Sequence, residues 1–200
     1  MISHNFLHIF LVWNLFLALI PLLVVFLLDK KVIKSKIGIV ISLLVWLFFF
    51  PNSFYIITDL IYVDTNDFVF QSGPYNPTVY LQNIPAYLGL FHIYLGAFIG
   101  LIYGYKSINV LYDYSKDYSI LKKYRNILVI FVFGLSSFAI YIGRFFRYNS
   151  WDIFKIYQII KDFFEDLSWF TVFFIGFMTI IQIVVFYLIR TNSKEMNKVE

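Results

Sequence analysis

Five stretches of this chain contain no Asp, Glu, Lys or Arg: Phe6–Leu28, Ile37–Phe50, Ile84–Tyr105, Ile127–Gly143 and Trp169–Ile189. At ~1.5 Å per residue, a helix crossing a ~30 Å hydrocarbon core needs about 20 residues. The first, third and fifth runs meet this unaided. Charged residues make up only 14% of the chain and hydrophobic ones 60%, against about 25% charge in soluble domains. A soluble monomer is therefore excluded, and the chain reads as a single polytopic domain over residues 1–200.

The two short runs lengthen in different ways. Ile127–Gly143 extends through Arg144 and Arg147, whose aliphatic stems lie along the membrane edge while the guanidinium groups reach water. Ile37–Phe50 meets Pro51, after which apolar residues resume at Phe54, Ile56, Ile57, Leu60 and Ile61. This predicts a helix broken near Pro51 and continued by a short helical piece. The expected fold is all-α, with transmembrane helices at about 6–28, 37–60, 84–105, 127–147 and 169–190. The first run reads as an anchor rather than a cleaved signal, because Met1–His8 has no Lys or Arg and the lysines follow the apolar stretch.

Basic residues orient the spans. Lys30, Lys31, Lys34 and Lys36 fill the first loop, Lys106, Lys116, Lys122, Lys123 and Arg125 the third, and Arg190, Lys194 and Lys198 the tail, so 12 of the 16 fall on one side. By the positive-inside rule that side is cytoplasmic. The N-terminus is then outside and the C-terminus inside a cell membrane. The net charge of +4 follows from this placement, and no basic stripe interleaved with aromatics points to nucleic acid. The chain has no Cys, which excludes disulfides and thiolate ligands. No cofactor or metal is expected.

Between the fourth and fifth spans, Ile153, Ile156, Tyr157, Ile160, Phe163, Phe164 and Leu167 recur at helical spacing, with Lys155, Lys161, Asp162, Glu165 and Asp166 elsewhere on the wheel. This predicts an amphipathic interfacial helix at about 151–167, capped by Ser150. Phe68–Tyr80, with Gly73, Pro74 and Pro77, reads as a turning segment whose rings rest at the interface.

His92, Gly96, Gly100 and Gly104 lie four apart, forming a stripe of the third helix expected to pack against another backbone, with Gly134, Ser137 and Ala139 of the fourth as a complementary small surface. His4 and His8 share that spacing, but no carboxylate completes a metal set, and ordinary interfacial residues explain them better. Asp64, Asn66 and Asp67 lack the glycine and distal glutamate of a calcium loop and read as a solvated turn.

Two segments carry candidate chemistry. After Pro51, helical spacing would align Asn52, Tyr55, Asp59 and Tyr62 opposite Phe54, Ile57 and Ile61. In the second, Arg144, Arg147 and Trp151 would share a side, and two guanidinium groups suit a carboxylate or phosphate. Asp59 has no basic residue in its own loop, so a carboxylate at the membrane edge calls for Arg144 first and Arg147 second as partner. These features also fit a strut: arginines anchored at the headgroups and a salt bridge between helices.

These motifs, Pro51, Asn52, Tyr55, Thr58, Asp59 and Leu60, then Gly143, Arg144, Phe145, Arg147, Asn149, Ser150, Trp151 and Asp152, resemble those of the bacterial integral-membrane family catalogued as domain of unknown function 1361. The resemblance spans nearly the whole chain. Phe54 stands where that family's pattern has a second proline, and Tyr148 where it has tryptophan. The family implies no reaction.

The residues alone point to an outward-facing pocket of Asn52, Tyr55, Asp59, Arg144, Arg147 and Asp152 for an anionic lipid or envelope-glycan phosphate, with Asp59 as the candidate general base. Whether the chain is an enzyme stays open. The alternatives are a small transporter, suggested by the broken helix, and an assembly subunit using the glycine stripe to bind a membrane-protein partner. Beyond these the expected partner is the lipid bilayer.

Overall fold

The computed structural model describes residues 4–70, 78–115, 119–148 and 150–196. The side chains of His4, His8, Ser150 and Trp151, and the turn at 71–77, lie outside the described residues, so the readings that rest on them have no counterpart below.

The chain is helical, and five segments are long and apolar enough to cross a membrane: 10–29, 36–62, 84–114, 119–146 and 169–191. α1 (His4–Asp29) carries Pro21 in its interior. It ends with Lys31 in the left-handed region (φ 54°), where the Val32 N–H donates to the Leu27 carbonyl and closes the helix. Ser35 caps α2 (Lys36–Phe49) by accepting from the Gly38 N–H at 3.0 Å.

The second span breaks at Pro51, as its sequence predicts. Pro51 has no N–H to offer the preceding turn. The Ser53 N–H turns to Phe50, and the Phe49 carbonyl is taken instead by the Asn52 side-chain amide at 3.0 Å. The chain continues as α3 (Asn52–Tyr55) and then as a tighter 3-10 helix, Ile56–Tyr62. A two-residue antiparallel ladder, β1 (Val69–Phe70) with β2 (Val79–Tyr80), pairs Val69 with Tyr80. This small hairpin was not foreseen; Phe68 rests its ring edge on Tyr87 of the next helix at 5.1 Å.

α4 (Ile84–Tyr114) and α5 (Ser119–Tyr141) outrun the expected 84–105 and 127–147 at their shared end. A charge such as Lys106 marks where a helix leaves the hydrocarbon, whereas its hydrogen bonding continues beyond that level. α5 passes into a π-helical turn, Ile142–Phe146. The expected interfacial helix is two pieces: a 3-10 turn over Ser150–Lys155, then α6 (Ile156–Glu165). Tyr157, Ile160 and Phe164 of α6 are exposed, as a helix lying on a membrane surface requires. α7 is Trp169–Met196.

The glycine stripe is a packing surface, but its partner is not α5. A Cβ on Gly100 would stand 2.7 Å from the Ser53 carbonyl oxygen, one on Gly104 2.8 Å from the Phe54 ring, and one on Gly96 3.0 Å from Leu11. The close approach therefore admits α1 and the broken piece α3, and Gly104 is as tightly covered as Gly100. His92 does not share this surface. It is exposed, whereas its neighbour Ile93 is only 1% exposed. Gly134 faces open space. Ser137 instead accepts from Gln182 at 2.7 Å and from Thr179 at 3.0 Å, joining α5 to α7. The aromatic centre of the bundle is Phe50, Phe54, Phe133 and Phe186, with ring contacts of 5.5–6.1 Å.

Candidate functional site

The break in the second span and the widened end of α5 meet at the polar end of a cleft of about 730 Å³. Small-molecule sites typically occupy about 300–1,000 Å³. The 3-10 winding after α3 aims Asp59 inward, and the π-helical turn re-aims Arg144; such turns recur at functional sites. Arg144 Nη2 lies 2.5 Å from Asp59 Oδ1, with side-chain exposures of 6% and 7%. Arg144 is the partner its sequence position called for.

The guanidinium is held on every side. Its Nε donates to Thr58 Oγ1 at 2.9 Å, and Thr58 Oγ1 in turn donates to the Tyr55 carbonyl at 2.6 Å. The Tyr55 and Tyr62 rings lie 4.3 and 5.2 Å from the guanidinium carbon, in cation–π range. Gly143 makes room for Tyr55, since a Cβ there would stand 3.3 Å from the ring. The second oxygen of Asp59 accepts from Asn14 Nδ2 at 3.2 Å. Both carboxylate oxygens are thus engaged, one by a charge and one by an amide.

Asn52, Tyr55, Asp59, Arg144 and Arg147 all line the cleft. Asp152 does not; it pairs with Lys155 at 2.9 Å. Nor do Arg144 and Arg147 continue along one helical face towards residue 151, because Arg147 adopts the left-handed conformation (φ 60°) and ends the helix. For a non-glycine residue this costs about 1–3 kcal/mol. Among the described residues Arg147 forms no salt bridge, so the cleft keeps one uncompensated guanidinium beside a neutralised pair.

α6 contributes Ile156 and Ile159 to the cleft and is tied down towards its C-terminal end. Tyr148 donates to Asp162 at 2.8 Å, and this carboxylate raises the phenol's pKa above its ordinary value. Tyr141 donates to Asp166 and shares a 3.0 Å hydrogen bond with Thr171.

Sequence reasoning passed over two features. Asn14 is a lone amide in the first apolar run, a signal that was present but had no stated partner. At the far ends of α4 and α7, buried Arg190 donates to Asn109 and, at 2.7 Å, to Asp113, and stacks on Tyr112 at 4.1 Å. Arg190 had counted only as a tail charge. Among the described residues no group of His, Cys, Asp and Glu could hold a metal ion.

The family model described as "Protein of unknown function (DUF1361)" matches residues 13–185, which include every residue of the cleft's polar end. No curated protein and no solved structure matches the chain.

Proposed function

The chain belongs to the DUF1361 family, whose description assigns no activity, and from the site alone we propose that it is a multi-pass membrane protein that binds an anionic, phosphate-type group in the cleft of Asn52, Tyr55, Asp59, Arg144 and Arg147. The group belongs to an anionic lipid or to an envelope-glycan phosphate. The observation that carries this reading is Arg147. It lines the cleft, is exposed, and among the described residues forms no salt bridge, on a backbone conformation that glycine would adopt at lower cost. A planar guanidinium suits the bidentate recognition of phosphate.

Asp59 fits better as the holder of Arg144 than as a general base, because both its oxygens are already hydrogen-bond acceptors. Orientation enters the same proposal. The side bearing the cleft holds four of the 16 basic residues, so the cleft faces outward and the C-terminus lies in the cytoplasm of a cell membrane.

The test is to titrate purified protein in neutral detergent with phosphate-bearing probes, lipid-borne and soluble, while following its melting temperature. Wild type gains stability with at least one probe, and Arg147→Gln loses that gain while melting normally without probe. A probe effect unchanged in Arg147→Gln overturns the reading.

A further inference from the structure

We infer that the cleft admits its ligand sideways from the bilayer: an amphiphile with an anionic phosphate head at Arg147 and its hydrocarbon chain between α2 and α5. This rests on the anion-binding reading above and adds the chain and its route of entry.

Away from the polar end the walls are apolar, with Leu47 and Phe48 on α2 and Val132 and Leu135 on α5. The rim is exposed although it belongs to membrane-crossing segments. Trp13 is 47%, Phe48 41% and Leu135 37% exposed, so this side of the cleft opens towards acyl chains rather than water. Ser136, also in the lining, is only 1% exposed, and its hydroxyl has no hydrogen-bond partner among the described residues. Buried hydroxyls normally have one, and an ester or ether oxygen of a ligand would supply the acceptor.

The physics of the membrane assigns each half a different task. Acyl chains are as apolar as the cleft wall, so transferring a chain from lipid into the cleft yields little net driving force. The chain's contribution is to hold the phosphate at the depth of Arg147 and so raise its effective concentration there. Affinity comes from the head, and selection comes from the shape of the groove.

Native mass spectrometry of the detergent-solubilised protein tests this with phosphatidic acid, phosphatidylcholine, glycerol phosphate and inorganic phosphate as probes. Phosphatidic acid should be retained at about tenfold lower concentration than phosphatidylcholine, and neither soluble phosphate should be retained where phosphatidic acid saturates. Ala139→Leu fills the cleft from α5 and should weaken phosphatidic acid retention about tenfold. Gly134→Leu, placed on the open side of the same helix, should leave it unchanged. Leu135→Phe narrows the exposed rim and serves if Ala139→Leu does not fold. Retention of phosphatidic acid unaltered by the filling variants, or soluble phosphate bound as tightly as the lipid, overturns sideways entry while the anion reading stands. If no anionic phosphate probe is retained better than the zwitterionic phosphatidylcholine, the anion reading itself falls.

Discussion

Arg144, at the widened end of α5, places Nη2 2.5 Å from the Oδ1 of Asp59, which lies beyond the break in the second span. Each charge is removed from water, and each is compensated chiefly by the other. The two ends of the chain's polar machinery, 85 residues apart, are thereby clamped into one cleft wall. Asn14 reaches the same carboxylate from α1, so three spanning segments converge on Asp59.

Breaking this pair from one side should be worse than removing it whole. Asp59→Asn or Arg144→Gln alone leaves a buried charge without its counterion, at a cost of about 3–5 kcal/mol. The double substitution should cost less than the sum of the two. Thermal unfolding in detergent across the four proteins of the cycle measures the coupling, and strict additivity would show that the contact contributes nothing.

Two glycines on neighbouring helices should respond to the same substitution with opposite sign. Gly100→Ala drives a methyl against the Ser53 carbonyl oxygen, which is backbone and cannot swing away, and should destabilise by about 1–3 kcal/mol. Gly134→Ala meets nothing within 4 Å and should be neutral or stabilising by up to about 1 kcal/mol, since alanine is the better helix former. Equal melting temperatures for the two variants would contradict the packing described here.

Orientation is open to impermeant thiol labelling, because the chain has no cysteine of its own. Asn66→Cys, in the exposed segment after the 3-10 helix, should label in intact cells. Lys34→Cys should label only after permeabilisation. Lys34 is chosen over Ser35, whose hydroxyl caps α2. The reverse pattern would place the cleft in the cytoplasm.

Arg190→Lys should destabilise the junction of α4 and α7 although charge is conserved. A lysine cannot serve Asn109 and Asp113 from two nitrogens while lying over the Tyr112 ring. The expected loss is about 1–3 kcal/mol, read as a lower melting temperature. A variant as stable as wild type would reduce the buried guanidinium to a snorkelling charge.

The amino-acid sequence by itself determined the features that depend on neighbours along the chain. Runs free of charge set five spans, Pro51 broke the second because an imide has no proton to donate, and the period of apolar residues after Trp151 called for a surface helix. The scarcity of cations near Asp59 even singled out Arg144. Tertiary structure alone decided which way each helix faces. In a soluble protein the buried face differs chemically from the wet one; in a bilayer both lipid and neighbour are apolar, so α4 carries little trace of its azimuth. That is why His92 turned out exposed, why the glycine stripe met α1 and α3 rather than α5, and why Asn14 found its partner only in three dimensions. Asp152 left the cleft for a related reason. One residue in the left-handed conformation, Arg147, redirects the chain, and helical spacing cannot be extrapolated across it.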